Sequence, residues 1–330
     1  MTRLRDVRRR LEATRTLGEV VATTKTLASV RVHRHRQAVE GLTASTRTLE
    51  LAFEALIARH PEVVRPLLGG PRDRVGGAGG AEGADGAEGP GRASGGPASG
   101  PPGPLAVVVF GADRGLSGPF VGRIADHAAG LLADRSAPEA APTILAIGRR
   151  MDRELVRRGW PPTDTTAAPQ GPGGVDAAAA ALLHRIDAWR ADARAERLVL
   201  VHGRPAGGTT FEATALQLLP LDRSWLRDLR GRTWPSRRHP VLLGDPEEVL
   251  RGLVRETVAS AVVRAFATSL AAENAARLAA MEAAEKGVER RLETLERRYR
   301  AARQAQVTAE LLDVRAAFEA TVGGGDPSGG

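Results

Sequence analysis

Two proline-free stretches at opposite ends of the chain constrain its fold more than any other feature. Residues 3–58 contain no proline, and Leu4, Val7, Leu11, Val21, Ala28, Val32, Val39, Leu42, Leu49, Phe53 and Leu56 recur at three- and four-residue steps or their multiples. They fill about eleven of the sixteen a and d slots of a heptad, so the segment reads as one long helix with an apolar seam. Gly18, Lys25 and His35 interrupt that seam. The second stretch opens at Asp245-Pro246-Glu247-Glu248. Here an Asp caps the helix, a Pro occupies the first turn where a missing N–H costs little, and two carboxylates sit at the positive end of the dipole. No further proline occurs before Ala320, and Val249, Leu253, Leu270, Leu278, Met281, Val288, Leu292, Leu295 and Tyr299 supply an apolar stripe, with Gly287 its one weak point. At 1.5 Å per residue the two helices would measure on the order of 80 and 110 Å. A domain of this size needs no such helices for its own core. The economical arrangement pairs them antiparallel as a coiled coil joined to a compact body, a shape suited to a shaft or spacer.

The middle of the chain changes character. Pro61, Pro66 and Gly69-Gly70-Pro71 end the first helix, and residues 69–104 are rich in Gly, Ala and Pro. This stretch has too little apolar bulk to offset ordering entropy, so it reads as a disordered insert. Leu105-Ala106-Val107-Val108-Val109-Phe110 is a continuous apolar run of strand length, as expected of a strand buried on both faces. The sequence then alternates: a helix over Phe120–Leu132, a strand over Thr143–Ile147, a helix over Arg149–Arg158, a helix over Val175–Ala195 and a strand over Arg197–His202. An extended segment over Thr209–Leu219 is expected in a hairpin or at a sheet edge. The fold class is therefore α+β or α/β: a long antiparallel coiled coil of N- and C-terminal helices plus a small Rossmann-like α/β domain. The domains expected are 1–68 and 246–322 for the coiled-coil helices, 69–104 for the insert, 105–245 for the α/β domain and 323–330 for a disordered tail.

Composition excludes several classes of chemistry. Among 330 residues there is no Cys, which rules out disulfides, thiolate metal sites and a Cys nucleophile. There is no apolar run of membrane-spanning length and no apolar signal segment after Met1, so the chain reads as soluble and intracellular. Net charge is +8, and residues 1–36 carry ten Arg and Lys against three Asp and Glu. A basic helix of this kind suits nucleic acid, an acidic lipid surface or an acidic protein, or is simply a solvated face.

The one loop with the position of a phosphate cradle is Gly111-Ala112-Asp113-Arg114-Gly115-Leu116-Ser117-Gly118, between a buried strand and a helix. Its spacing matches neither the dinucleotide fingerprint nor the P-loop, so a tight strand-to-helix turn is the plainer reading. His33 and His35 lie two apart on a helix and face different ways, and His202 ends a strand without an evident Asp or Ser partner. No catalytic residue, cofactor site or metal site is assigned.

Three segments resemble the gamma subunit of F-type ATP synthase. Glu273-Asn274-Ala275-Ala276-Arg277-Leu278-Ala279-Ala280-Met281-Glu282-Ala283-Ala284 is similar to the family's E-x-x-A-R-M-x-A-M-x-x-A signature. Ala302-Arg303-Gln304-Ala305-Gln306-Val307-Thr308-Ala309-Glu310-Leu311 is similar to its A-R-Q-A-x-I-T-x-E-L stretch. Asp113-Arg114-Gly115-Leu116-Ser117-Gly118 looks like its S-D-R-G-L-C-G turn, and the opening helix follows the family more loosely through Lys25, Ala28 and Arg31. The resemblance implies a central rotor shaft that couples ion flow to ATP synthesis or hydrolysis, non-catalytic by itself and without a cofactor. It implies the alpha and beta subunits, the epsilon subunit and the membrane ring of c subunits as partners, with no nucleic acid and no membrane insertion. The place implied is the cytoplasmic face of the cell membrane, as part of the complex. Arg277, Gln304, Thr308, Glu310 and Lys25 match positions of coupling or ring contact, and Asp113, Arg114, Gly115 and Gly118 match the α/β turn. Thr24 stands where the family has a Met, and Pro119 departs from its Gly-Phe-Asn. Gly203-Arg204-Pro205-Ala206-Gly207-Gly208 and Leu218-Leu219-Pro220-Leu221-Asp222 look like the divergent gamma subunits of alternate, sodium-type synthases, which leaves H+ and Na+ both open. Two competing readings stand beside it: a basic coiled-coil nucleic-acid binder, and an α/β enzyme using the 111–118 turn.

Overall fold

The computed structural model describes residues 2–68, 103–136, 141–232, 234, 236 and 241–323, with the side chains of 2–3, 33–40, 42–45, 66, 68 and 320–323 left aside. The insert expected over 69–104 and the tail expected over 323–330 lie outside the described residues, apart from Gly103, Pro104 and Gly323. The elements are α1 (Thr2–Arg59), α2 (Pro61–Leu68), β1 (Leu105–Phe110), α3 (Phe120–Arg135), β2 (Thr143–Ile147), α4 (Arg149–Arg157), β3 (Asp164–Thr166), α5 (Val175–Ala191), β4 (Arg197–Pro205), β5 (Phe211–Leu219), α6 (Arg223–Gly231) and α7 (Pro246–Gly323). Pro61 starts α2 rather than merely stopping α1, since a first-turn proline is preset for a helix. Contacts divide the chain into two units, Met1–Leu27 with Ala280–Gly330 and Ala28–Ala279.

The first unit is an antiparallel helix pair. Arg15 Nη2 donates to Glu296 Oε1 at 3.0 Å, and Lys25 Nζ donates to Glu285 Oε2 at 2.6 Å. Partner numbers fall on α7 as they rise on α1, which fixes the direction. Leu11, Val21, Met281 and Leu295 are buried in this unit. Gly18, an interruption of the seam, has a reason: a Cβ there would sit 3.2 Å from Val288 Cγ1. α7 runs through Gly287 without a break. From Val307 to Glu319 every residue of α7 is exposed, including Leu311, Val314 and Phe318.

The second unit is built on a five-stranded sheet of order β3-β2-β1-β4-β5. β1 lies between β2 and β4, parallel to both, and all six of its residues are buried. That placement explains its unbroken apolar run. Alternate residues point to opposite faces. Ala106, Val108 and Phe110 pack with Leu182 and Ile186 of α5 and with Val262, Phe266 and Leu270 of α7. Val107 and Val109 pack with Ile124 and Leu132 of α3, Met151 and Leu155 of α4, and Ala272 and Ala276 of α7. A satellite cluster joins Phe53, Leu56 and Ile57 of α1 to Val64 of α2 and to Trp225, Leu226 and Leu229 of α6.

Four local details depart from the sequence reading. α5 ends at Ala191, short of the expected Ala195, because Ala193 turns left-handed at φ 54° and Arg194 N returns to Trp189 O at 2.7 Å. β4 runs on to Pro205 because β5 pairs with it antiparallel as far as Pro205 opposite Phe211. β3 and α6 have no counterpart in that reading. β3 is three residues at the sheet edge, and α6 is capped by Asp222, whose Oδ1 accepts from Ser224 N at 2.8 Å.

Candidate functional site

The β1–α3 turn leaves the sheet at Gly111 and is tied down by one side chain. Asp113 Oδ1 accepts from Arg149 N at 2.9 Å, and Asp113 Oδ2 accepts from Ala168 N at 2.9 Å. The first contact supplies the N-terminal cap of α4 from a different loop, because the residue before that helix is Gly148, which has no side chain to offer. Gly148 is required there: its φ is +98°, and a Cβ would lie 2.7 Å from the Ala112 carbonyl carbon. The second contact fixes the segment after β3. Arg149 Nε stands 3.6 Å from the same carboxylate, whose side chain is only 8% exposed. Leu116 at φ 67° and Gly118 at φ 53° turn the chain left-handed before α3.

This staple borders a small, open pocket. Asp113, Arg114, Ala168, Pro169 and Gln170 form one side, while Arg31 of α1 and Leu270, Glu273, Asn274 and Arg277 of α7 form the other. Arg277 Nη2 donates to Glu273 Oε1 at 2.5 Å, with both side chains 10% exposed. Arg277 Nη1 reaches Asn274 Oδ1 at 3.3 Å, and Asn274 Nδ2 donates to Leu270 O at 2.8 Å. Burial pushes the Glu273 carboxyl above the ordinary carboxylate range, opposed by the attraction of Arg277 and, more weakly, of Arg31. The buried pair thus holds the Arg277 guanidinium in one orientation rather than letting it sweep the surface.

The structure brings Asp113, Arg114 and Arg277 together, although 163 residues separate Arg114 from Arg277 in sequence. Gly115 does not line the pocket; a Cβ there would meet Arg150 Nη1 at 2.7 Å. Gln304, Thr308 and Glu310 are not part of it. They are exposed on α7, where Thr308 Oγ1 donates to Gln304 O at 2.9 Å and Glu310 Oε1 accepts from Gln306 Nε2 at 2.8 Å. Lys25 belongs to the helix pair, and its ammonium is held above its usual range by the hydrogen bond to Glu285, against a smaller desolvation effect.

Sequence reading missed the partners of these residues. Glu273 and Asn274 stood within the quoted signature without a role, and Arg31 carried no site. Glu50 and Glu54 of α1 are also buried, and both accept from Arg232 Nη1, at 2.7 and 3.3 Å, and from Arg47 Nη1, at 3.1 and 3.2 Å. Their i, i+4 spacing on an apolar face was the available signal. His202 is buried against Phe110 and beside Thr268, with Nδ1 3.1 Å from Gly203 O, and burial pushes its pKa down to about 4. It is a neutral core residue rather than a ligand. Four of the ten Arg and Lys of residues 1–36 are engaged: Arg8 with Glu12, Arg9 with Asp6, Arg15 with Glu296 and Lys25 with Glu285. Such pairing leaves a mixed-charge surface, which does not favour a phosphate backbone. Among the described residues no group of His, Asp or Glu is arranged to hold a metal ion.

The family model described as ATP synthase matches residues 3–321. Among solved structures, the rotor of the Euglena gracilis mitochondrial ATP synthase in rotational state 1 is similar to this chain at TM-score 0.56 and 16% identity, covering 92% of this chain and 98% of that one. A chain of the Euglena gracilis OSCP/F1/c-ring structure in rotational state 3 is similar at TM-score 0.60 and 17% identity, covering 99% and 98% respectively. At such identities the likeness speaks for the fold. No curated protein sequence matches.

Proposed function

The chain belongs to the gamma-subunit family of ATP synthases, and from that premise we propose how its two units work. It is the central rotor-shaft subunit of a rotary F-type ATP synthase, a non-catalytic member of the complex. Its partners are the alpha and beta subunits of the catalytic ring, the epsilon subunit and the ring of c subunits. The carrying observation is that the chain ends wind together: α1 and α7 run antiparallel with Arg15 on Glu296 and Lys25 on Glu285. Two helices locked side by side resist torsion better than one, so torque applied at one end reaches the other. The cross-helix pairs sit at the surface, where water and salt weaken them. They set register without making the shaft sticky toward a surrounding stator. Beyond Val307, exposed Leu311, Val314 and Phe318 recur along α7 and offer apolar contacts to an enclosing ring.

In this reading Arg277, held by Glu273, is the coupling contact of the second unit, and Arg114 belongs to the α/β turn that Asp113 ties down. Gln304, Thr308 and Glu310 grip the ring from the first. Lys25 acts through its Glu285 partner. The site is the cytoplasmic face of the cell membrane, peripheral to it; no described helix is long and apolar enough to cross a membrane. The coupled ion is H+ or Na+, and the glycine-rich β4–β5 turn, similar to sodium-type relatives, favours testing Na+ first.

The experiment is reconstitution of the complex with this chain truncated before Arg303. ATP hydrolysis by the catalytic ring should persist while ion transport driven by it is lost. Coupled transport at the full-length rate would refute the shaft reading, as would failure of the intact chain to copurify with an alpha–beta ring.

A further inference from the structure

The pocket beside Asp113 carries more positive charge than the contacts around it use. Its wall holds three guanidiniums, Arg31, Arg114 and Arg277, against two carboxylates, Asp113 and Glu273. Both carboxylates are committed: Asp113 accepts from the Arg149 and Ala168 amides, and Glu273 accepts from Arg277. Gln170 Nε2 is also used, on Ala168 O at 3.1 Å. Arg31 and Arg114 make no hydrogen bond or ion pair with any described residue. Arg31 is half-buried, and the charge it is attracted to, Glu273, is already hydrogen-bonded by Arg277. The two carboxylates of the wall offset part of this charge, and a further anion between Arg31 and Arg114 would balance the remainder.

We propose that this pocket binds a small tetrahedral oxyanion, inorganic phosphate, bridged by Arg31 and Arg114. The chemistry favours that class. Each guanidinium offers paired N–H donors whose geometry matches two oxygens of one phosphate. Arg277 adds positive potential from its fixed place on Glu273 without giving up its own pair. The flanking carboxylates set an upper size, because a long polyphosphate would run its outer charges against Asp113 or Glu273. Free phosphate should therefore bind at least as well as the terminal phosphates of ATP. The site does not depend on the rotor reading, because it rests on charges and contacts within the second unit alone.

The test is calorimetric titration of the purified full-length chain with sodium phosphate, sodium sulfate or ATP, with ionic strength held constant by sodium chloride. Saturable phosphate binding is expected, weakened about tenfold by R31Q or R114Q, the loss of one charge-assisted contact. It should disappear in the double variant and persist in R153Q, which removes an exposed arginine of α4 outside the pocket. Each variant's melting curve checks that it is folded. In the unaltered chain sulfate should displace phosphate while chloride does not, so the proposal stays exposed even if the variants misfold. No saturable binding, unchanged affinity in the folded double variant, or failure of sulfate to compete would overturn the proposal. ATP binding tighter than phosphate would overturn the assignment to the free anion.

Discussion

Replacing Asp113 by Asn keeps the size of the side chain and removes the charge that holds two loops. In the native chain each carboxylate oxygen accepts one backbone N–H, from Arg149 and from Ala168, both at 2.9 Å. An amide offers only one oxygen. Its NH₂ must then face the other backbone N–H, donor against donor, in a site where the native side chain is 8% exposed. A hydrogen bond to a charged group contributes about 1.5–3 kcal/mol, and a carboxylate at a helix N-terminus adds about 0.3–1 kcal/mol. Since one contact survives in neutral form, the expected loss is about 2–3 kcal/mol. For a folded unit of this size that corresponds to a fall of roughly 5–10 °C in melting temperature. The assay is thermal melting of the purified chain together with amide hydrogen exchange at Arg149 and Ala168, whose protection should drop more than that of the β1 amides. The control is Asp126→Asn, which removes an exposed partner of Arg158 and should shift melting by less than about 2 °C. A melting temperature for D113N equal to that of the D126N control, with protection at both amides unchanged, would refute the staple.

Three further outcomes follow from the packing and charges described above. His202 is folded with a pKa of about 4 against an ordinary value of 6.5. The unfolded chain therefore binds the extra proton first, and stability fully present above pH 6.5 is lost as pH falls toward 4, by about 3 kcal/mol. His202→Gln should flatten that part of the stability–pH curve relative to the native chain; an identical slope in denaturant titrations between pH 7 and 4 counts against it. Phe53 is fully buried against Trp225, with ring centroids 5.2 Å apart, so Phe53→Ala should cost about 3–5 kcal/mol by urea unfolding. A cost below about 1 kcal/mol would mean the satellite cluster collapses freely around the gap. Lys25→Glu sets two carboxylates side by side and should lower the melting temperature at low salt. Adding Glu285→Lys should restore it, and a double variant no better than the single one would show that the pair does not set register.

The elements that were legible in the sequence are those whose signal is local. β1 announced itself because a central parallel strand is apolar on both faces, and α7 because Asp245 and Pro246 mark a helix start on their own. β3 spans only Asp164–Thr166, too short for any period to show, and it forms because β2 offers a free edge. α6 was legible and missed: Asp222 is an ordinary cap, and Trp225, Leu226 and Leu229 share one face. The pocket was legible only through family resemblance, which supplied Asp113, Arg114 and Arg277 as separate points. Their convergence, and the entry of Arg31, depend on α1 and α7 both lying beside the loops that follow β1 and β3. The role of Asp113 was hidden for the same reason, since its two amide partners lie 36 and 55 residues further along the chain.

Residues 1–27 share a unit with residues from Ala280 onward and with nothing between. During synthesis this has a timing consequence. The α1 stretch leaves the ribosome well before its partner, and its apolar stripe has no mate until some 250 residues later. At about 5–20 residues per second that wait is on the order of tens of seconds. Over that interval Leu11 and Val21 are open to chaperones or to a wrong partner. The sheet unit, complete once Ala279 has emerged, can fold first and bring the late mate to the waiting strand of helix.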